Sequence, residues 1–179
     1  FKNKGFIFPN NKKMAYISSW DDEGNYKSMN EIILLNKKLN LKLPLTIFAH
    51  TNPMTYDNWR NIINDKIHNI ESHSVSHPDN PDNSKEYINS QKIIKDLFGS
   101  NHGLSYAYPH GRLSNKKEIK NLIKKLYISA RGTSIGYFKK GDDIYNLKGF
   151  PIEKVSHSNL ETAINYNLVL ITYGHGIKG

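Results

Sequence analysis

Two adjacent carboxylates in Ser19-Trp20-Asp21-Asp22-Glu23-Gly24 and two imidazoles in His73-Ser74-Val75-Ser76-His77-Pro78 are the residues here whose types and spacing can do chemistry. A divalent ion of the zinc type takes about three protein N/O ligands and keeps one position open for water, and hydrolysis also needs a separate base to activate that water. Like charges as close as Asp21 and Asp22 oppose joint ionisation unless a cation sits beside them. One aspartate can therefore bind metal while its neighbour stays free, and the two runs together make a candidate metal hydrolase site.

The histidine pair is not a helical zinc-protease motif. Ser-Val-Ser separates the two rings, with no Glu between them, and Pro78 disfavours helical geometry at His77. A loop after a strand is expected, and a metalloprotease is not. Asp142-Asp143 serves as an internal control: it follows Gly141 without a matching constellation and reads as a turn. His50 ends an apolar run and either lines a pocket or is an uninvolved loop residue, while His68, His102 and His157 receive no role.

The elements that must position these groups alternate along the chain. Short runs rich in β-branched and aromatic residues predict strands at Met14–Ser18, Leu45–Ala49, Asn69–Ser72, Leu104–Tyr108, Tyr127–Ala130, Phe150–Val155 and Leu168–Thr172. Amphipathic stretches predict helices at Ser28–Leu39, Tyr56–Asp65, Ser84–Leu97, Asn115–Leu126 and Asn159–Tyr166. Ser84 and Ser114 read as start signals, and Gly99 as the stop of the third helix. This alternation implies an α/β fold, a parallel sheet with helices outside, either a small barrel or an open doubly wound sheet. Asp21 and Asp22, His73 and His77, Pro109 to Gly111, Arg131 and His175 all fall just past the carboxyl ends of predicted strands. In a barrel those ends share one face, whereas an open sheet binds ligands only near a switch in strand order. The distorted (β/α)7-type barrel is the expectation.

Composition bounds the rest. A chain of 179 residues with 37% hydrophobic and 11% aromatic content, and no linker-like segment, is read as one folded, soluble domain covering residues 1–179. The net charge of +9 suits an anionic partner, but the Lys pairs are dispersed over predicted helix surfaces and no basic stripe with interleaved aromatics appears, so nucleic acid is not expected. With no Cys, disulfides and thiolate sites are excluded and His, Asp and Glu are left as ligands. The chain opens at Phe1 with no apolar leader or run long enough to span a membrane, which suits a trimmed or processed chain.

Taken together, these motifs resemble the polysaccharide deacetylases, the NodB-homology carbohydrate esterases. Ser19 to Gly24 is similar to the family's T-F-D-D-G motif, and Ile70 to Pro78 to its second motif, H-[ST]-x-x-x-H-P. Thr46-Ile47-Phe48 matches the T-F-F strand between them. Ala107-Tyr108-Pro109-His110-Gly111 resembles the third motif, R-x-P-Y-G or A-Y-P-Y-G, and Leu170 to Gly176 the closing motif with its histidine. The likeness runs in order from about Lys13 to Ile177.

The resemblance implies a NodB-type barrel in which Asp22, His73 and His77 hold one divalent metal, most often Zn2+, with Co2+, Mn2+ or Ni2+ as alternatives. Asp21 would be the general base and His175 the general acid toward the departing amine. The His110 N–H would help hold the oxyanion, with Tyr108 and Pro109 beside it. Such an ion can lower the pKa of water to about 7, which makes amide hydrolysis at neutral pH coherent. Two departures stand out: the usual Arg of the third motif is Ala107, and the fourth motif is hard to recognise. Arg131 could supply the missing charge or be an ordinary structural arginine, and Glu153 is a candidate to orient His175. Tyr106, Tyr108, Tyr173 and Trp59 either stack on sugar rings or pack the core and rim.

The implied activity is removal of N-acetyl groups from a GlcNAc-containing polymer such as chitin, peptidoglycan or an exopolysaccharide. A small-molecule amidohydrolase on the same scaffold and a catalytically impaired glycan-binding homologue are the alternatives. The implied partner is an N-acetylated poly- or oligosaccharide, met by a monomer that is secreted or held at the cell surface.

Overall fold

Seven short parallel strands close on themselves in the computed structural model, which describes residues 5–22, 26–52, 59 and 66–175 and, at Asp22, the backbone alone. The strands are β1 (Ala15–Asp22), β2 (Leu45–Ala49), β3 (Asn69–Ser72), β4 (Ser105–Ala107), β5 (Ser129–Ile135), β6 (Leu147–Pro151) and β7 (Val169–Gly174). They pair in sequence order, and β7 closes against β1. All seven pairings are parallel, as βαβ crossovers require. The described helices are α1 (Tyr26–Lys38), α2 (Ser84–Phe98), α3 (Lys117–Leu126) and α4 (His157–Asn165). The barrel expected from the clustering of unusual residues at strand ends is the observed fold.

The pleat sorts side chains into two sets. Trp20, Ile47 and Ile70 pack outward with Met29, Ile32 and Ile33 of α1 and Ile94 of α2. Tyr106 and Ala130 do so with Ile119 and Ile123 of α3, and Leu170 with Ala163 of α4. The alternate positions Asp21, Phe48, Glu71, Ala107, Arg131 and Tyr173 therefore point into the barrel.

Boundaries depart from expectation in ways that matter for the site. β1 runs four residues beyond the expected Ser18, so Asp21 and Asp22 are its last two residues rather than a following turn. β5 starts at Ser129 and continues to Ile135, which puts Arg131 inside a strand instead of past its end. β6 is Leu147–Pro151, displaced toward the N-terminus of the expected run, and Glu153 sits in a short 3-10 turn after it. Gly99 caps α2 as expected, but the N-cap is Asn83, whose side chain accepts from Lys85 N–H. Ser114 acts one turn early: its Oγ accepts from Lys116 N–H at 3.0 Å. The helix expected over Tyr56–Asp65 lies outside the described residues except for Trp59, which is buried.

Candidate active site

Asp21 is fully inside the barrel mouth, and its carboxylate accepts from Arg131 Nη2 across the barrel. Its other oxygen lies 3.9 Å from His175 Nε2. Burial pushes the Asp21 pKa up, but the Arg131 guanidinium, His73 and His175 outweigh it and hold the carboxyl below its ordinary value. Asp21 is thus ionised at neutral pH and aimed at a half-exposed imidazole. The sequence placed Asp21 and His175 more than 150 residues apart; the β1–β7 pairing that closes the barrel brings them together.

His73 follows β3 and is buried, with its N–H bonded to Ala49 O at 3.0 Å. Its Nδ1 is 2.9 Å from the Ala107 carbonyl, which can only accept, so the proton sits on Nδ1 and the Nε2 lone pair is left for a ligand. Burial lowers its pKa to about 4, with His77 and Arg131 adding to the effect, so the ring is neutral, the form that binds metal. His77 has φ 52 and its ring centroid lies 4.8 Å from that of His73. The donor chemistry of this pair fits a zinc-type ion. The side chain of Asp22, the third expected ligand, lies outside the described residues; among those described, no group of three or more His, Asp and Glu side chains is arranged to hold a metal.

Glu86, which the sequence reading passed over, shapes the histidine loop. From the first turn of α2, its Oε2 accepts from Val75 N–H and Ser76 N–H at 2.8 Å each, while its Oε1 accepts from Ser76 Oγ at 2.8 Å. Ser74 takes φ 73, and its Oγ accepts from His77 N–H at 2.9 Å. The loop is therefore a built clamp that folds His77 back over His73. Nothing in a lone Glu among helix-start residues signals this from sequence.

The ring of His77 also meets His110 at 4.4 Å and His50 at 6.3 Å between centroids. His50 therefore lines the same mouth, with both its ring nitrogens shielded from solvent. His110 has φ 55 in the turn Pro109–Gly111. The turn's own bonds are donated by Gly111 N–H to Tyr108 O and by Arg112 N–H to Pro109 O, and the His110 N–H takes no part in them. Tyr108 faces the α3 side instead: its ring packs on Tyr106 and its hydroxyl donates to Tyr145 O, and Pro109 is buried beside it. Of the three residues grouped around the oxyanion, only His110 presents a side chain to solvent at the mouth.

Arg131 is joined to Asp21, whereas the exposed Glu153 makes no ion pair or hydrogen bond with His175 among the described residues. His68 and His102 have structural partners, accepting from Leu45 N–H and Ile70 N–H at 3.2 Å each.

The sequence profile of the polysaccharide deacetylases matches residues 9–130. No curated protein is significantly similar in sequence. Among solved structures, a polysaccharide deacetylase from Bacillus cereus superposes with TM-score 0.68 at 21% identity, over 83% of this chain and 50% of that one. A peptidoglycan N-acetylglucosamine deacetylase superposes with TM-score 0.55 at 18% identity, over 96% of this chain and 76% of that one. A Bacillus anthracis pseudoenzyme of carbohydrate esterase family 4 gives TM-score 0.55 at 14% identity, over 92% and 56%. The chain thus spans half the length of the Bacillus cereus protein, and at these identities the likeness is one of fold.

Proposed function

This chain belongs to the polysaccharide deacetylase family, and from that premise we propose that it hydrolyses N-acetyl groups of a GlcNAc-containing polysaccharide with the help of one divalent ion, zinc by preference. The observation that carries the reading is the Asp21 carboxylate, buried, paired with Arg131 and facing His175 beside a neutral His73. Neither a glycan-binding relic nor a packing core requires a buried charge pair set against a half-exposed imidazole.

His73 and His77, with Asp22 from the end of β1, are the residues that would hold the ion. When bound there, a zinc-type ion supplies Lewis acidity and acidifies water. Asp21 takes a proton from the attacking water, and its lowered pKa keeps it in the accepting form. The His110 N–H, unused by its own turn, donates to the carbonyl oxygen as negative charge develops. His175, on the solvent side of Asp21, gives a proton to the amine nitrogen so that it leaves as a neutral amine. Its half-exposed position suits a group that must meet a bulky glycan.

Support for a polymeric substrate comes from the family and from the peptidoglycan deacetylase among its structural relatives. Secretion or cell-surface display and a monomeric state follow from the same reading. The test is acetate release from chitooligosaccharides and from peptidoglycan fragments, with and without a chelator and with zinc added back. Chelator-sensitive release supports the proposal. No release from any N-acetylated glycan by metal-loaded protein overturns it in favour of a glycan-binding homologue, and release from small cyclic amides alone would mark a small-molecule amidohydrolase.

A further inference from the structure

Tyr173, on β7, lies two residues before His175, and Phe48 points inward from β2 on the other side of β1. Between their two rings sits the Arg131 guanidinium, 4.8 Å from the Tyr173 centroid and 5.2 Å from that of Phe48. All three side chains are buried. The guanidinium has few polar partners for a group with five N–H donors: among the described residues Nη1 donates to Gly132 O at 3.0 Å, Nη2 to Asp21, and Nε has none. A buried cation so sparsely bonded is held laterally by the two π-faces, since each ring attracts the charge electrostatically and excludes water from its plane.

Tyr173 is itself fixed at its far end, where its hydroxyl donates to Thr133 O at 3.1 Å. Thr133 lies two residues beyond Arg131 on β5, so the ring is braced against the strand that carries the guanidinium. The same ring meets His175 edge-on, at 6.4 Å between centroids and 84° between planes. One aromatic side chain therefore touches the group that holds the base and the group that serves as acid.

We propose that Tyr173 is a positioning residue whose ring sets the Arg131 guanidinium under Asp21 and the His175 imidazole opposite it, a role that rests on the deacetylase reading only for its kinetic arm. The ring is the active part, and the hydroxyl is a brace. Packing alone would make any large apolar side chain equivalent; a positioning role needs a π-face.

The experiment compares Tyr173→Phe, Tyr173→Leu and, on the opposite face, Phe48→Leu. The order parameter of the Arg131 side-chain Nε–H group, which loss of a ring current does not itself change, is followed by 15N NMR relaxation in metal-free and zinc-loaded samples. Kinetics with a chitooligosaccharide are run beside it. Tyr173→Phe is expected to keep the Arg131 order parameter and a kcat within about threefold, whereas Tyr173→Leu lowers the order parameter and lowers kcat at least about tenfold at little-changed KM, as displacement of a catalytic constellation does. Zinc affinity stays within about twofold in both, because neither change touches His73 or His77. An Arg131 order parameter unchanged in folded Tyr173→Leu overturns the proposal, and so does a kcat loss that Tyr173→Phe shares in full. Should Tyr173→Leu fail to fold, Phe48→Leu gives the same two readings from the other ring. If the parent releases no acetate, the deacetylase reading falls, while the order parameter still decides whether the ring positions Arg131.

Discussion

Ala107 and Arg131 are register neighbours across β4 and β5, and the Arg131 side chain alone spans from that level to Asp21. The position at which related motifs carry an arginine is Ala107, and the guanidinium enters the same layer of the barrel from the adjacent strand. Charge at the base is thus retained although its strand of origin has moved, because both residues point inward at one height.

That relationship makes a rescue testable. Arg131→Met leaves Asp21 as a buried carboxylate without its counter-ion, which costs about 3–5 kcal/mol of stability and removes the poised base. Acetate release should fall by about 100-fold or more. Adding Ala107→Arg to Arg131→Met returns a guanidinium to that layer, and part of both the melting temperature and the turnover should return. A double variant no better than the single one would show that the layer accepts the cation from β5 alone.

Adjacent carboxylates should divide their labour. Asp22→Ala is expected to abolish stoichiometric zinc binding, measured by metal analysis after dialysis. Asp21→Asn should retain zinc and lose turnover by about 10²- to 10⁴-fold, the range of a lost general base. Metal loss in Asp21→Asn with binding intact in Asp22→Ala would mean the two roles are exchanged.

The general acid is separable from the rest by its leaving group. An amine must be protonated to depart, whereas an aryl oxide leaves unaided. His175→Ala should therefore suppress hydrolysis of N-acetylglucosamine units by about 10²-fold or more while an activated aryl acetate is cleaved at a rate within about tenfold of the parent. Equal losses on both substrates would assign His175 to binding or structure instead of proton transfer.

Much of this was legible in the sequence. Asp21, His73 and His175 could be placed at one barrel mouth because strand ends in a parallel barrel share a face. Arg131 had two open readings, the missing charge or an ordinary structural arginine, and strand register, which a β5 start misjudged by two residues conceals, is what brings it to Asp21. The Glu86 clamp and the Tyr173–Arg131–Phe48 stack are side-chain contacts between residues ten or more positions apart, and no local pattern encodes them. Glu153 and Tyr108 went the other way: both stand near the right motifs, yet one lies on an exposed turn and the other faces a helix.

The turn that offers the His110 N–H depends on a glycine. Gly111 has φ +68, and a Cβ built there would lie 2.0 Å from Thr133 Oγ1. Gly111→Ala therefore meets both left-handed strain and a clash with β5, together about 2–5 kcal/mol. A thermal melt should show the loss, and Thr133→Ala in the same chain should recover part of it because the nearest atom is then gone. Additive losses in the double variant would place the cost in the backbone conformation alone.

Glu71 supplies a pH dependence of stability distinct from the site. It faces into the barrel below His73 and accepts from Ser105 N–H at 2.6 Å, and burial raises its pKa from 4.5 to about 7, against the lowering influence of the Ser105 and Leu104 N–H groups and of Lys95. The folded chain therefore binds more protons than the unfolded chain between those two values, and unfolding free energy falls as pH rises through that window. The slope from this one group approaches about 1.4 kcal/mol per pH unit and flattens above the folded pKa. Glu71→Gln keeps an acceptor for the Ser105 N–H but carries no charge, so it should be more stable than the parent at pH 8 and lose the advantage near pH 4.5. Urea unfolding of both proteins across pH 4–8 measures the difference directly. A stability gap that does not change over that range would show that Glu71 titrates alike in the folded and unfolded chains, the β4 amides offsetting its burial.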